Sequence, residues 1–189
     1  MGAYTELPFV SAEDHAYAME KIMQRVADAM VEEGVPFTGV LYGGLMKTSQ
    51  GIKVIEFNAR FGDPETEVVL PRLMSDAVDV FTAVAENNAP ETEWSKEATL
   101  GIVLASKGYP GDYAKGFAIR GTERVESKLY HMGTAMKDGE LVTNGGRVMF
   151  VVASASTLRE AQQKAREDIA KIECENLFHR TDIGNKAFK

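Results

Sequence analysis

Cysteine is almost absent from this chain, which has one, Cys174, in 189 residues. A single thiol closes no internal disulfide, which excludes a disulfide-stapled secreted scaffold and fits a reducing, cytoplasmic setting. With no histidine or basic cluster beside it in sequence, Cys174 reads as a helix-packing residue rather than a reactive thiol. Histidine is scarce as well. His15, His131 and His179 lie far apart, and no Cys/His spacing matches a zinc site. Positive charge is in deficit: 21 Lys and Arg against 28 Asp and Glu leave a formal net charge of −7, which opposes binding to a nucleic-acid backbone. No apolar run approaches the roughly 20 residues that span a bilayer, and the first residues lack the basic, apolar, small-residue order of a signal peptide. Met1-Gly2 resembles a myristoylation start, but Glu6 stands where that signal needs Ser or Thr. Neither nucleic acid nor membrane is expected as a partner.

Nucleophile motifs are missing too. There is no Gly-x-Ser-x-Gly elbow and no Ser/His/Asp or Cys/His set, so hydrolysis through a covalent intermediate is unsupported. Gly43-Gly-Leu-Met-Lys47-Thr48 is superficially like a phosphate loop, yet Met46 occupies the position where glycine must precede the lysine. Gly43 and Gly44 read instead as allowing close strand packing.

What is present is an ordinary globular composition, 44% hydrophobic and 26% charged, enough for one or two domains. Ser11 to Asp14 forms a capping box ahead of Met19, Ile22, Met23, Val26 and Met30 at helical spacing, so a helix is expected over 12–33, closed by Gly34 and Pro36. Strands are expected over 38–47 and 52–59, paired antiparallel through a turn at Thr48-Ser-Gln-Gly51. A helix over 75–86 with Ser75 as N-cap precedes a polar boundary run, 87–93. Beyond it the texture is mainly β: strands over 99–105, 123–131 and 147–153, with turns at Gly108-Tyr-Pro-Gly111, Lys137-Asp-Gly139 and Asn144-Gly-Gly146. A second capping box, Thr157 to Glu160, opens a helix whose apolar face, Leu158, Ala161, Ala165, Ile169 and Ile172, should cover that sheet. The expected fold class is α+β, with domains over 1–90 and 91–189.

Chemistry concentrates between residues 53 and 65. The two-residue period of a strand places Glu56, Asn58 and Arg60 on one face and Ile55, Phe57 and Ala59 on the other. A carboxylate and a carboxamide about 7 Å apart along a strand offer hard oxygens suited to Mg²⁺ shared with phosphates. Arg60 adds a planar charge fork for a phosphate or carboxylate. The bland alternative is an amphipathic strand whose charges simply face water. The acid-rich turn Gly62-Asp63-Pro64-Glu65 weighs against it, since a solvated strand end needs only a Gly or Pro.

Several blocks then carry a resemblance: Met1-Gly-Ala-Tyr4, Gly39-Val-Leu-Tyr-Gly-Gly-Leu-Met46, Val54-Ile-Glu-Phe-Asn-Ala-Arg-Phe-Gly-Asp-Pro-Glu-Thr66, Leu73-Met-Ser-Asp76, Lys107-Gly-Tyr-Pro-Gly111, Thr143-Asn-Gly-Gly-Arg-Val148 and Arg180-Thr-Asp-Ile-Gly184. Together they resemble the phosphoribosylamine-glycine ligases, or glycinamide ribonucleotide synthetases, of the ATP-grasp superfamily, across essentially the whole chain. The resemblance implies an enzyme of purine biosynthesis that uses ATP with Mg²⁺ or Mn²⁺ to phosphorylate glycine, and lets 5-phosphoribosylamine attack the acyl-phosphate. By it, Glu56 and Asn58 match metal ligands that also hold the nucleotide phosphates, and Arg60 matches the arginine that steadies the anionic acyl-phosphate or glycine carboxylate. Gly62, Asp63 and Glu65 match the turn beside the substrate amine.

The loops at 108–111 and 144–147 are read either as facing the phosphoribosylamine site, with Arg147 a phosphate contact, or as plain hairpin turns. By the same resemblance, 1–90 is the last section of the grasp domain and 91–189 the small C-terminal domain. The family's N-terminal domain and mobile lid lie ahead of Met1, so the chain is expected to be a fragment without turnover by itself. Its expected oligomeric state is monomer or weak dimer. A non-catalytic binding or interaction module, and an ATP-grasp ligase with a different amine, are the competing readings.

Overall fold

The computed structural model describes residues 1–188 and divides into two compact units. One comprises Met1–Glu6, Glu67–Arg72 and the chain from Lys96 onward; the other comprises Leu7–Thr66 and Leu73–Ser95.

The first unit is built on β4 (Ala98–Ser106) and β8 (Arg147–Ala155), paired antiparallel at the centre of a sheet ordered β1-β4-β8-β5. The edge strands are β1 (Gly2–Tyr4) and β5 (Lys128–His131), and the short β9 (Leu177–Phe178) pairs with the end of β4. Every residue of β4 is buried, as a near-continuous apolar run requires when both faces of a sheet are covered. Strand alternation sorts the two faces. Leu100, Ile102 and Leu104 stand opposite Ala153, Val151 and Met149 and pack with α5 (Leu158–Ile169), whereas Val103, Phe150 and Val152 pack with Val68 on the other side. Gly101 is bare because the Phe150 ring lies over it: a Cβ there would meet Phe150 Cζ at 2.3 Å. Each fully buried large apolar side chain contributes about 1.5–3 kcal/mol.

Thr157 and Glu160 close the expected capping box on α5, whose buried Ala161 and Ala165 bring the helix close to the sheet. The helix ends at Ile169, short of Ile172. The stretch 123–127 is not strand, contrary to expectation. It opens with a single 3₁₀ turn, Thr122–Arg124, and the amides of Glu126 and Ser127 donate to the Asp168 carboxylate at 3.2 and 2.8 Å instead of to a ladder. The Asp138-Gly139 turn joins two strands, β6 (Thr134–Lys137) and β7 (Glu140–Thr143), with both central residues at positive φ, the geometry a two-residue hairpin favours.

In the second unit, Ser11 and Asp14 form the capping box of a helical run made of α1 (Ala12–Tyr17), a π-helical stretch (Ala18–Met23) and α2 (Gln24–Glu32). Gly34 follows at φ +75°. The hairpin of β2 (Tyr42–Thr48) and β3 (Gly51–Asn58) pairs antiparallel as expected, although 38–41 stays outside it. Helix and hairpin meet closely: a Cβ on Gly43 would lie 2.5 Å from Met23 Sδ. Lys47 ties them further, donating to Phe9 O at 2.8 Å and to Asp14 Oδ2 at 2.5 Å. That lysine therefore serves the frame of the hairpin.

After the short α3 (Thr66–Val69) comes α4 (Ala77–Ala85), capped by Asp76 rather than Ser75. Asp76 Oδ1 accepts from the amides of Val78 and Asp79, which frees Ser75 Oγ to accept from Glu93 N at 2.7 Å and tie down the polar run.

Candidate functional site

Two features of β2 and β3 set the site. The register shifts between Gly44 and Leu45: Leu45 faces Val54 but Gly44 faces Glu56, so Ile55 is an extra residue on β3. Past this bulge Gly44 pairs with Glu56 and Tyr42 with Asn58. Directly opposed residues of an antiparallel pair share a face, so Tyr42, Glu56 and Asn58 lie together. Gly44 leaves room for the acid, since a Cβ there would lie 3.0 Å from Glu56 Cγ.

On that face Asn58 Nδ2 donates to Glu56 Oε1 at 3.0 Å. Glu56 Oε2 and Asn58 Oδ1 then remain as two hard oxygens on one strand, a donor set that suits a Mg²⁺-sized cation whose other ligands are phosphate or water oxygens. Among the described residues no group of three or more His, Cys, Asp and Glu side chains could hold a metal ion by itself. A cation here would depend on its substrate for the remaining ligands.

β3 ends at Asn58, so Arg60 lies just past the strand. Its Nη1 donates to Phe61 O at 2.9 Å, and the Phe61 ring packs edge-on against Phe81 of α4 with centroids 6.1 Å apart. The next turn is closed by Thr66, whose amide donates to Gly62 O at 3.0 Å and whose hydroxyl donates to the same oxygen. Gly62 is buried, and a side chain on it would have to displace its neighbours: a Cβ would fall 2.3 Å from Glu65 Oε2 and 2.9 Å from Tyr42 Cε2. The glycine thus lets the Glu65 carboxylate fold back against the Tyr42 ring. Asp63, next in this turn, is exposed.

Tyr42 is the residue that sequence reasoning missed. Burial pushes its phenol up, the nearby carboxylates of Glu65 and Glu56 push it further, and the Arg60 guanidinium pulls the other way. The acid of β3, the acid of the turn and the arginine between them therefore all act on one hydroxyl, which stays protonated. Phosphate, ammonium and cation could each find an opposite charge here within one small region.

Arg147 belongs to the other unit. It opens β8, pairs with Ala105, is half-buried and approaches Met1 Sδ at 3.8 Å with Nη1. The two glycine-containing loops of that unit touch each other: a Cβ on Gly146 would meet Tyr109 Cδ2 at 2.2 Å, and Ser106 Oγ donates to Gly145 O at 2.8 Å. Gly146 is thus required by close packing and not by a positive φ.

The chain is similar to known proteins along nearly its whole length. Family models for phosphoribosylglycinamide synthetase match along the chain, the ATP-grasp (A) domain over residues 1–66 and the C domain over residues 99–186. Curated phosphoribosylamine–glycine ligases are similar at 52% identity in Halalkalibacterium halodurans (99% of this chain, 44% of the relative) and 44% in Caldanaerobacter subterraneus (97% and 45%). The chain thus spans less than half the length of these relatives. The crystal structure of a phosphoribosylamine–glycine ligase from Thermotoga maritima superposes with a TM-score of 0.86 at 33% identity, covering 97% of this chain and 46% of that one. A biotin carboxylase from Campylobacter jejuni shares the fold alone, at a TM-score of 0.62 and 11% identity over 96% of this chain and 41% of that one. With two consecutive domain models, these relatives and an α+β architecture in agreement, the chain belongs to the phosphoribosylglycinamide synthetase family of ATP-grasp ligases.

Proposed function

We propose that this chain supplies the metal-phosphate and amine-side residues of an ATP-dependent ligase that joins glycine to 5-phosphoribosylamine, giving glycinamide ribonucleotide, ADP and phosphate in purine biosynthesis. The observation that carries the reading is the Glu56–Asn58 pair on one strand face, hydrogen-bonded at 3.0 Å, beside the Gly62–Glu65 turn. The names of the relatives supply the reaction. In this reading residues 1–90 are the last section of the grasp domain and 91–189 the C-terminal domain, with the rest of the ligase contributing the adenine contacts and the lid.

A carboxylate is a poor electrophile until one of its oxygens becomes a phosphate leaving group. ATP provides that phosphoryl group, and the glycyl-phosphate formed is attacked by the amine with loss of phosphate. Glu56 and Asn58 would hold a divalent cation, Mg²⁺ or Mn²⁺, which when bound neutralises charge on the phosphates. Arg60 steadies the acyl-phosphate or the glycine carboxylate through its planar fork. Gly62, Asp63 and Glu65 shape the seat of the amine, and Arg147 contacts the ribose phosphate. Catalysis is mostly positioning and electrostatics, with no covalent enzyme intermediate. The partners are these small molecules, not nucleic acid or a membrane; among the described residues no helix is long and apolar enough to cross one. We place the enzyme in the cytoplasm as a monomer or weak dimer.

The test is Asn58→Ala in the full-length enzyme, comparing Mg²⁺-ATP affinity and turnover with the unaltered protein. Both should fall by at least about tenfold. Full synthetase activity in the variant would overturn the metal assignment.

A further inference from the structure

We infer that Ser106 is a positioning residue for the phosphoribosylamine subsite: it holds the carbonyls of both Gly145 and Gly146 and so sets where Arg147 begins β8. The inference deepens the ligase reading, in which Arg147 contacts the ribose phosphate, and rests on it.

Ser106 ends β4 after the apolar run from Leu100 to Ala105, and it is fully buried. A buried hydroxyl is unfavourable unless it is hydrogen-bonded. This one donates to Gly145 O at 2.8 Å, and the Ser106 amide donates to Gly146 O at 2.8 Å. Ser106 also pairs with Leu177 of β9, so the residue that does the holding is itself held.

Arg147 needs such a hold because of what precedes it. Gly145 and Gly146 have no side chains to pack, and glycine loses more freedom on ordering than any other residue. Their surroundings are tight: Gly133 Cα would lie 3.0 Å from a Cβ on Gly145, as close packing by Tyr109 crowds Gly146. The β4–β8 ladder does not fix them either. Its register shifts between Leu104 and Ala105, so that Leu104 faces Met149 and Ala105 faces Arg147, with Val148 left over between them. Two hydrogen bonds from one buried serine therefore anchor the dipeptide that leads into Arg147. A guanidinium fork recognises a phosphate only in a fixed direction, and a displacement of about 1 Å weakens a positioned site heavily. Ser106 touches no substrate; it acts through Arg147.

Ser106→Ala in the full-length enzyme tests this, since it removes one oxygen and nothing else. KM for phosphoribosylamine and Kd for ribose 5-phosphate should each rise about fivefold, the usual consequence of losing one hydrogen bond, while kcat and the KM values for ATP and glycine stay within about twofold. A general loosening of the sheet would not single out the phosphate-bearing substrate. Arg147→Ala alone should raise the same KM at least about tenfold, and in that background Ser106→Ala should add less than about twofold, because the group it serves is already gone. Where Ser106→Ala gives no folded enzyme, Ser106→Cys keeps the volume with a weaker donor and should raise the same KM about twofold to threefold. An active Ser106→Ala or Ser106→Cys enzyme with unchanged KM for the amine, a rise that persists in full in the Arg147→Ala background, or parallel losses for ATP and amine would each overturn the assignment. The last would place Ser106 in the frame of the sheet. An Arg147→Ala enzyme with unaltered KM would remove the phosphate contact from the ligase reading and Ser106 with it. Failure of the unaltered enzyme to make glycinamide ribonucleotide would instead overturn the ligase reading as a whole.

Discussion

Gly44 stands directly opposite Glu56 across the hairpin, and a Cβ on it would come within 3.0 Å of Glu56 Cγ. The bare backbone of one strand thus leaves room for the acid of the other. Gly44→Ala should displace that carboxylate by a few tenths of an ångström and weaken Mg²⁺-nucleotide binding by roughly three- to tenfold, because misplacement on this scale costs a positioned site heavily. Isothermal titration with Mg²⁺-ATP on the full-length enzyme checks it, and the KM for the amine should stay where it is.

Gly62→Ala separates the other half of the site. The added methyl would collide with Glu65 Oε2 and with the Tyr42 ring, so the turn carboxylate has to move. Turnover with phosphoribosylamine should drop by at least about tenfold while Mg²⁺-ATP affinity changes less than twofold. Steady-state kinetics beside nucleotide titration on one preparation distinguishes the two outcomes.

Much of this was legible in the sequence. The capping boxes at Ser11 and Thr157, the β2–β3 hairpin and the common face of Glu56 and Asn58 follow from local rules about caps, turns and the strand period. Tyr42 was not legible, and the reason is the bulge. Counting back from the Thr48–Gly51 turn with perfect alternation puts Tyr42 opposite Phe57, on the apolar face; the extra residue at Ile55 moves it opposite Asn58. Edge strand β1 was also hidden, because its pairing with β4 spans nearly a hundred residues and three residues carry too little periodicity to announce it.

Asp168 is a structural acid. It is buried, accepts the amides of Glu126 and Ser127, and pairs with Lys171 at 2.8 Å. Burial alone would raise its pKa, but the hydrogen bonds from Lys171, Ser127 and Glu126 prevail and hold the carboxyl at about 2, below the ordinary 3.8. A group depressed in the folded state stabilises above its unfolded value and loses that contribution as pH falls through the folded one. Asp168→Ala should therefore cost about 3 kcal/mol at neutral pH. The gap between variant and parent should close as pH falls from 3.8 towards 2. Urea melts across that range check both statements.

The two units should differ in local stability. Among the described residues, the buried hydrophobic core consists of Val68 and residues from Ala98 to Ile169, all in the unit built on β4 and β8. In the other unit Val31, Met46, Val54, Ile55 and Val78 are exposed. With few buried apolar contacts to hold it, the β2–β3 hairpin should open more readily, by a few kcal/mol, than β4 and β8. Hydrogen exchange on this chain should show amides 42–58 exchanging at least about a hundredfold faster than amides 98–106; equal protection would contradict it.

The most direct measurement is a crystal structure of the full-length enzyme with nucleotide and Mn²⁺ in place of Mg²⁺, in which anomalous scattering locates the cation. The expected peak lies at direct ligand distance, about 2.1 Å for a Mg²⁺-like ion, from oxygens of both Glu56 and Asn58. A cation bound to nucleotide phosphates but remote from both side chains would contradict the assignment of this strand face as the metal-phosphate site.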